Sequence, residues 1–448
     1  MTRLRALWES MRATYWVVPS AMAFGAILLS VAMIQLDQAA AATLLDRWSW
    51  VYTGGPEGAR AVLSTIAASM ITVAGVTFSI TIVALTLASQ QFGPRLLRNF
   101  LKDFGNQVVL GSFISTFLYC LLVLRTVRGN DDSHFTPHLA VTVGVGLAIL
   151  SLGVLIFFIH HVATSIQASH VIANVADELE AAIERIFPDD IGEGPAGGGD
   201  SPAAAPPEPG ADRGAPRTVA ATTTGYVQAL DSARVLALAR EHDLTIRIDA
   251  QPGAFVRLGT PLATLWPAPQ PPEARDGPVL EAFIIGADRT GSQDAGFFVN
   301  QLVELAVRAL SPGINDPGTA RTCVDRLEQA LCHLAGRGIP SPYRYDEEGV
   351  LRVVAPPVTF VSLLDLAFEE IGRYGSSSVS VMGRLLEAVR DLAACTHREE
   401  DRQALIRHAD VLADRARRAC PHEPDRSQID GLHRAALQAL RVSGAGRG

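Results

Sequence analysis

Lysine is nearly missing from this chain: Lys102 is the sole lysine among 38 basic residues in a length of 448, so positive charge here means arginine. A segment without lysine cannot carry a lipoyl or biotinyl arm, whatever its strand pattern. Cysteine is scarce as well. Cys120, Cys323, Cys332, Cys395 and Cys420 are odd in number and form no CxxC pair, which fits a reducing compartment better than a disulfide framework. The net charge is −8 with no basic tail, so the concentrated positive footprint that grips phosphate backbones is lacking and nucleic acid is excluded as a partner.

Charge is also absent from long runs. Residues 15–36, 61–94, 104–124 and part of 133–176 contain no Asp, Glu, Lys or Arg. At 1.5 Å per residue such runs cross roughly 30 Å of hydrocarbon, and a soluble core does not need them. The expected fold is a polytopic α-helical membrane domain over 1–170, with helices near 16–36, 61–88, 106–127 and 138–163, followed by an α+β domain. The first span could pass for a signal peptide, but its long basic leader and its apolar length favour a retained anchor.

Arg3, Arg5 and Arg12 precede the first span, and Arg95, Arg98 and Lys102 separate the second from the third. Against these six, the other two loops carry Arg47, Arg60, Arg125 and Arg128. The bias places both termini and the polar half in the cytoplasm, with the spans in the inner (plasma) membrane of the cell. Without an ionised group inside the spans, a proton relay or ion-pair transporter is disfavoured.

What is polar inside the bilayer is mostly hydroxyl. Thr65, Ser69, Thr72, Ser79 and Thr86 of the second span are spaced by four, three, seven and seven and share one helix face. They line a pore, or they pack helices through small residues and hydrogen bonds. Ala140, Gly144 and Ala148 repeat the small-residue theme in the fourth span, and His160, His161 and His170 at its end are interfacial rather than metal ligands.

Beyond the bilayer a helical stalk is expected over 164–187, continuing the fourth span. Its apolar seam of Ala168, Ile172, Val175, Leu179, Ala182 and Ile186 meets another subunit or packs on its own domain. Residues 188–216 are rich in Pro, Gly and Ala and read as a disordered linker.

A small β-rich module is expected over 217–270: a strand from Gly225, a short helix capped by Asp231 and ending near Glu241, an alternating Leu244, Ile246, Ile248, and a turn at Pro252-Gly253. Its G-x-F-V-x-x-G-x-P-L pattern resembles the hairpins of barrel-sandwich modules. Residues 271–448 should be mainly helical. Two polar loops, 288–294 and 311–320, bracket a helix from about 295 to 310, and Ser292 is placed to cap it. Asp316 and Pro317 read as N-cap and first helical residue of the next helix. Arg289, Gln293, Asp294, Asn315 and Asp316 are therefore helix caps, a subunit contact or a ligand pocket. The bracketed helix is about 24 Å long, so its two ends cannot share a pocket within one chain unless other elements fold back.

Three segments then match a known family. Phe78-Ser-Ile-Thr-Ile-Val-Ala-Leu-Thr-Leu-Ala-Ser-Gln-Gln-Phe-Gly-Pro-Arg, Gly111-Ser-Phe-Ile-Ser-Thr-Phe-Leu-Tyr-Cys and Arg308-Ala-Leu-Ser-Pro-Gly-Ile-Asn-Asp-Pro-Gly-Thr-Ala resemble the bacterial membrane proteins of the domain-of-unknown-function 2254 family. The resemblance extends over most of residues 5–440 and implies an integral membrane protein, without an activity or catalytic residues to carry over.

No nucleophile elbow, phosphate loop, HExxH, Cys/His cluster or dinucleotide fingerprint is present, so an enzyme is not expected, nor a metal or cofactor. Two classes compete, and the residues favour the first. One is an oligomeric channel or transport pore lined by the second span's hydroxyls. The other is a membrane-anchored sensor or scaffold whose cytosolic domain binds a ligand or protein. Lipid bilayer and further copies of the chain are the expected partners in both.

Overall fold

The structure is a computed structural model that describes residues 16–39, 52, 54–92, 104–130, 133–165, 167–187, 214–268 and 276–445. The chain divides into two units, Met1–His170 and Val171–Gly448. The linker expected over 188–216 lies outside the described residues except for its last three, as do the N-terminal arginines and the loop between the second and third spans.

The first unit is built from four helices long and apolar enough to cross a membrane: α1 (Val17–Ala39), α2 (Pro56–Phe92), α3 (Phe104–Leu124) and α4 (His138–Ser165). Pro56 opens α2, where its missing N–H costs nothing, and Glu57 sits against the positive end of that helix. With 37 residues, α2 is about 55 Å long and outruns the hydrocarbon core. A short hairpin of β1 (Arg128–Asn130) and β2 (Ser133–Phe135) joins α3 to α4. Half of α3's span is buried against 17% for each of the others, so α3 is the central helix.

Small residues set the approach of the helices. A side chain on Gly111 would lie 3.2 Å from Pro19 Cα of α1, and one on Gly144 would meet Leu63 of α2. Ala59, Leu63, Ala67, Tyr119, Cys120 and Ala140 close one layer, and Ala74, Val109, Phe113 and Phe158 another. Phe24, Leu28, Val76, Val83, Ile149, Leu150 and Ile156 point outward. In water that surface would be a liability; in lipid it meets a solvent of its own kind.

The stalk expected as a prolongation of the fourth span is a separate helix, α5 (Ala168–Ile186). At the end of α4 the Thr164 hydroxyl turns back to the His160 and His161 carbonyls, and the Gln167 N–H reaches Thr164 O, outside either helix. Ile172, Val175, Leu179 and Ala182 of the seam are buried within the second unit.

The second unit holds two sheets. One has the order β3 (Arg217–Ala220), β7 (Pro261–Trp266), β5 (Thr245–Ile248), β10 (Leu351–Val354), β9 (Tyr343–Tyr345), with only β5 and β10 parallel; the other is β6 (Phe255–Val256), β4 (Gly225–Leu230), β8 (Phe283–Gly286). Register places Ile246 between Leu265 and Val353, both buried. Between β4 and β5 runs α6 (Ser232–Glu241), capped by Asp231 as its sequence requires. A five-residue helix, α7 (Asp276–Leu280), leads into β8. Val219, Val227, Val235, Leu244, Ile246, Leu262 and Leu265 form the shared core.

The barrel-sandwich expectation is corrected here. Both sheets are open, and strands from 283–286 and 343–354 complete what the 217–270 segment begins. The hairpin spacing fixes turns, whereas closure depends on strands the pattern does not contain.

The rest is helical: α8 (Ala295–Ala309), α9 (Pro317–Ala335), α10 (Phe360–Tyr374), α11 (Val379–Cys395), α12 (Glu399–Ala419) and α13 (Glu423–Ala445). α8 packs on α9 and α10, and α11 on α9, α12 and α13. Leu302, Leu327, Leu364, Phe368, Leu385, Leu386 and Leu405 are fully or nearly fully buried between them. The cysteines depart from the reading of an unpaired set: Cys332 of α9 and Cys395 of α11 form a disulfide, while Cys120, Cys323 and Cys420 are free and buried.

Candidate functional site

Thr65, Ser69, Thr72, Ser79 and Thr86 all stand on the exposed side of α2. The opposite side carries Ala59, Leu63, Ala67, Ala74, Thr77 and Thr81, all buried. The outward hydroxyls bond their own helix: Thr65 donates to Ala61 O at 2.7 Å, Thr72 to Ala68 O at 2.8 Å, Ser79 to Gly75 O and Thr86 to Ile82 O at 2.9 Å. Such back-bonding satisfies a hydroxyl without any neighbour. Within one protomer the stripe faces outward, with Val76 and Val83 beside it.

The polar groups turned inward are others, and the sequence reading passed over them. Asp37, just past the expected end of the first span, is 8% exposed. Its two carboxylate oxygens accept the N–H groups of Leu139 and Ala140, each at 2.9 Å. These are first-turn donors of α4 that no helical carbonyl can reach, and the positive helix end favours the anion. Around the same helix start, Tyr119 donates to Ala140 O at 2.9 Å, His138 Nδ1 lies 2.7 Å from Tyr52 O, and the Tyr52 N–H reaches Thr142 Oγ1 at 2.9 Å. Arg60 donates to Val127 O at 3.0 Å. Deeper in the unit the buried hydroxyls of Thr116 and Ser151 pair at 3.1 Å. The Asp37 contacts span 102 and 103 positions, so the only local signal was one acid at the edge of an apolar run.

In the second unit the 288–294 loop is a joint between sheet and helices. Gln293 holds both backbone groups of Leu230 on β4, accepting at 2.9 Å and donating at 3.1 Å. Gln228 donates to Asp288 O, and Ser292 donates to Gln228 O. Ser292 therefore ties the loop to β4, and the N-cap of α8 is Asp294 instead. Asp294 makes no side-chain cap; it is buried and takes a 2.6 Å bond from Arg289 Nε. Gly253, at φ +91, is the turn above it, and a Cβ there would overlap the Asp294 carboxylate. The Gly291 carbonyl receives Arg185 of α5 at 3.1 Å.

The second loop is a helix start. Asp316 caps α9, accepting the Thr319 N–H at 3.1 Å and the Thr319 hydroxyl at 2.6 Å. Those two bonds hold its carboxyl below the ordinary aspartate range. Asn315 precedes it in the left-handed region at φ +50, which Asn tolerates better than most residues. Arg289, Gln293 and Asp294 are thus brought together at one end of α8, and Asn315 and Asp316 stand beyond its other end.

Elsewhere in this unit arginines bridge elements. Arg384 of α11 binds Asp325 and Glu328 of α9, His408 Nε2 lies 2.6 Å from Asp365 across α12 and α10, and Arg398 reaches Asp401 at 2.7 Å. Burial raises Glu328 and Asp401, against the pull of their arginines. Among the described residues no group of three or more His, Cys, Asp or Glu assembles that could hold a metal ion.

Residues 12–391 match the model of a family described as predicted membrane protein DUF2254. The chain belongs to this family. Its relatives include an uncharacterised protein of Mycobacterium bovis and one of Mycobacterium tuberculosis, each 33% identical over 450 residues, covering 99% of this chain and 84% of the relative. No solved structure matches. Family membership establishes a membrane protein whose relatives are themselves without an assigned activity, and it adds no residue to the site.

Proposed function

We propose that this family member is a membrane-anchored sensor or scaffold: the four helices hold it, as a homo-oligomer, in the bacterial inner membrane with both termini in the cytoplasm, and the second unit recognises its ligand or partner without catalysing a reaction. The observation that carries the reading is how the membrane unit uses its polar groups. Thr65, Thr72, Ser79 and Thr86 of α2 donate to carbonyls of their own helix, and Asp37 is occupied in capping α4. These donors of the stripe thus need no second copy and no ligand to satisfy them, and the Asp37 carboxylate is held by two N–H groups. The arginine and lysine bias between the loops supports the orientation.

A second reading, an oligomeric channel, is favoured by one specific observation: Thr65, Ser69, Thr72, Ser79 and Thr86 share the side of α2 that the protomer leaves open. In a ring of copies that side would line the axis. Mass measurement of the detergent-purified protein, followed by ion flux in proteoliposomes of the same sample, separates the two. Tight liposomes support the anchor. A ring of three or more copies with flux that changes in Thr72→Val and Ser79→Ala overturns it in favour of the channel.

A further inference from the structure

Two of the five cysteines differ from the rest. Cys120, Cys323 and Cys420 are buried, whereas Cys332 and Cys395 are both partly open to solvent. Those two sit in the last turns of α9 and α11, their Cα atoms 5.4 Å apart, with 63 residues of chain between them. That separation lies inside the roughly 4.4–6.8 Å that a disulfide spans, so the helix ends need not move for the bond to form or break. A small oxidant or a dithiol has less protein to pass at these two partly exposed residues than at the three buried thiols.

The surroundings give the pair something to control. Just after Cys332, Arg337 donates to the carbonyl of Phe187, the residue that follows α5, and its Nε lies 3.1 Å from His333 Nε2. Just after Cys395, Arg398 donates to the carbonyl of Arg337 at 3.0 Å and pairs with the buried Asp401 at the start of α12. The ends of α5, α9, α11 and the start of α12 are therefore linked through one short network, and the disulfide crosses its base.

We propose that Cys332 and Cys395 are a reversible thiol–disulfide site whose oxidation holds the end of α5 to the joined ends of α9 and α11. In the oxidising direction with a peroxide, one thiolate attacks the O–O bond and becomes a sulfenic acid, releasing water after proton uptake. The second thiolate then displaces the hydroxyl as another water. Two thiols and one peroxide give one disulfide and two waters, the two electrons passing from sulfur to oxygen. In the reducing direction a dithiol attacks one sulfur, forms a mixed disulfide and closes on itself, and both cysteines leave as protonated thiols. The site stands whichever reading of the membrane unit holds, since none of its residues belongs to that unit.

The test uses the full-length protein in detergent, treated with hydrogen peroxide or with millimolar dithiothreitol, trapped by alkylation and mapped by peptide mass. Expected is one intramolecular link, Cys332 to Cys395, present after peroxide, lost after dithiothreitol and restored by a second peroxide treatment. Hydrogen exchange of the same two states should show amides 183–187 and 333–337 exchanging at least about tenfold faster when reduced. Cys332→Ser and Cys395→Ser should each behave as the reduced form in peroxide, and the wild-type comparison needs no variant to fold. Both thiols labelled singly after peroxide, a link that resists dithiothreitol in the folded protein, or equal exchange in the two states would each overturn the proposal.

Discussion

The two units satisfy their polar groups by different means. In the membrane unit the hydroxyls of Thr72 and Ser79 turn to carbonyls four residues back, and the buried carboxylate of Asp37 holds backbone N–H groups at a helix start. In the second unit arginines span elements to reach carboxylates, as Arg384 does from α11 to α9 and Arg352 from β10 to Asp243 and Asp346. The difference follows from the solvent. An arginine that loses its partner in water is rehydrated, but one in hydrocarbon is not, so the described spans rely on polar groups satisfied by helix backbone or by one another. The apolar side chains invert in the same way: the second unit hides its leucines, and the membrane unit displays them.

The largest effects should come from that inversion. Leu385→Ala removes a side chain that is 0% exposed in the helical core, whereas Leu150→Ala trims one that is 63% exposed on α4. The first should cost about 3 kcal/mol through lost burial and a cavity, and the second under about 0.5 kcal/mol in detergent. Thermal unfolding of both variants checks this, and equal costs would mean that Leu150 is buried against something in the assembly. Next comes Asp37→Ala, which orphans two N–H groups of α4 and should destabilise the membrane unit by about 2 kcal/mol. Asp37→Asn, which keeps one acceptor, should recover part of it. A silent Asp37→Ala would show that water reaches the start of α4 and takes over the cap.

These contacts also mark how far the sequence could be read. The spans were legible because an apolar run without charge has few other uses, and the caps at Asp231 and Asp316 because their partners lie three residues on. Asp37 was not, because its partners lie on another helix more than a hundred residues away. Ser292 differs from its expected role for a related reason: a serine before a helix can cap it, but its hydroxyl donates to the carbonyl of Gln228 on β4, outside the segment, and the N-cap position falls to Asp294. The same holds for Cys332 and Cys395, whose spacing in the chain says nothing of two helix ends meeting.

A smaller effect is expected at Asp316. Its carboxyl is held below the ordinary aspartate value by Thr319, so its contribution is fully present above the unfolded-state pKa and is lost as the pH falls through the lower folded-state value. Thr319→Val removes the hydroxyl bond and keeps the branched shape. Acid titration of stability should then show a shallower loss for the variant than for the parent at the lowest pH. Identical curves would mean that the Thr319 N–H alone sets the carboxyl.

The smallest effect is the most telling about the outward stripe. Thr72→Val keeps the volume and the branching and removes only a hydroxyl that bonds Ala68 O of its own helix. On a surface facing lipid that exchange should leave stability within about 0.5 kcal/mol, because the carbonyl retains its helical N–H and valine suits hydrocarbon. At Thr81, buried on the other side of α2 with its hydroxyl on Thr77 O, the same exchange meets packed neighbours and should be the costlier of the two. Were Thr72→Val to cost more than about 1 kcal/mol in the detergent-solubilised assembly, the stripe would be in contact with another copy, and the open side of α2 would be an interface or a pore wall.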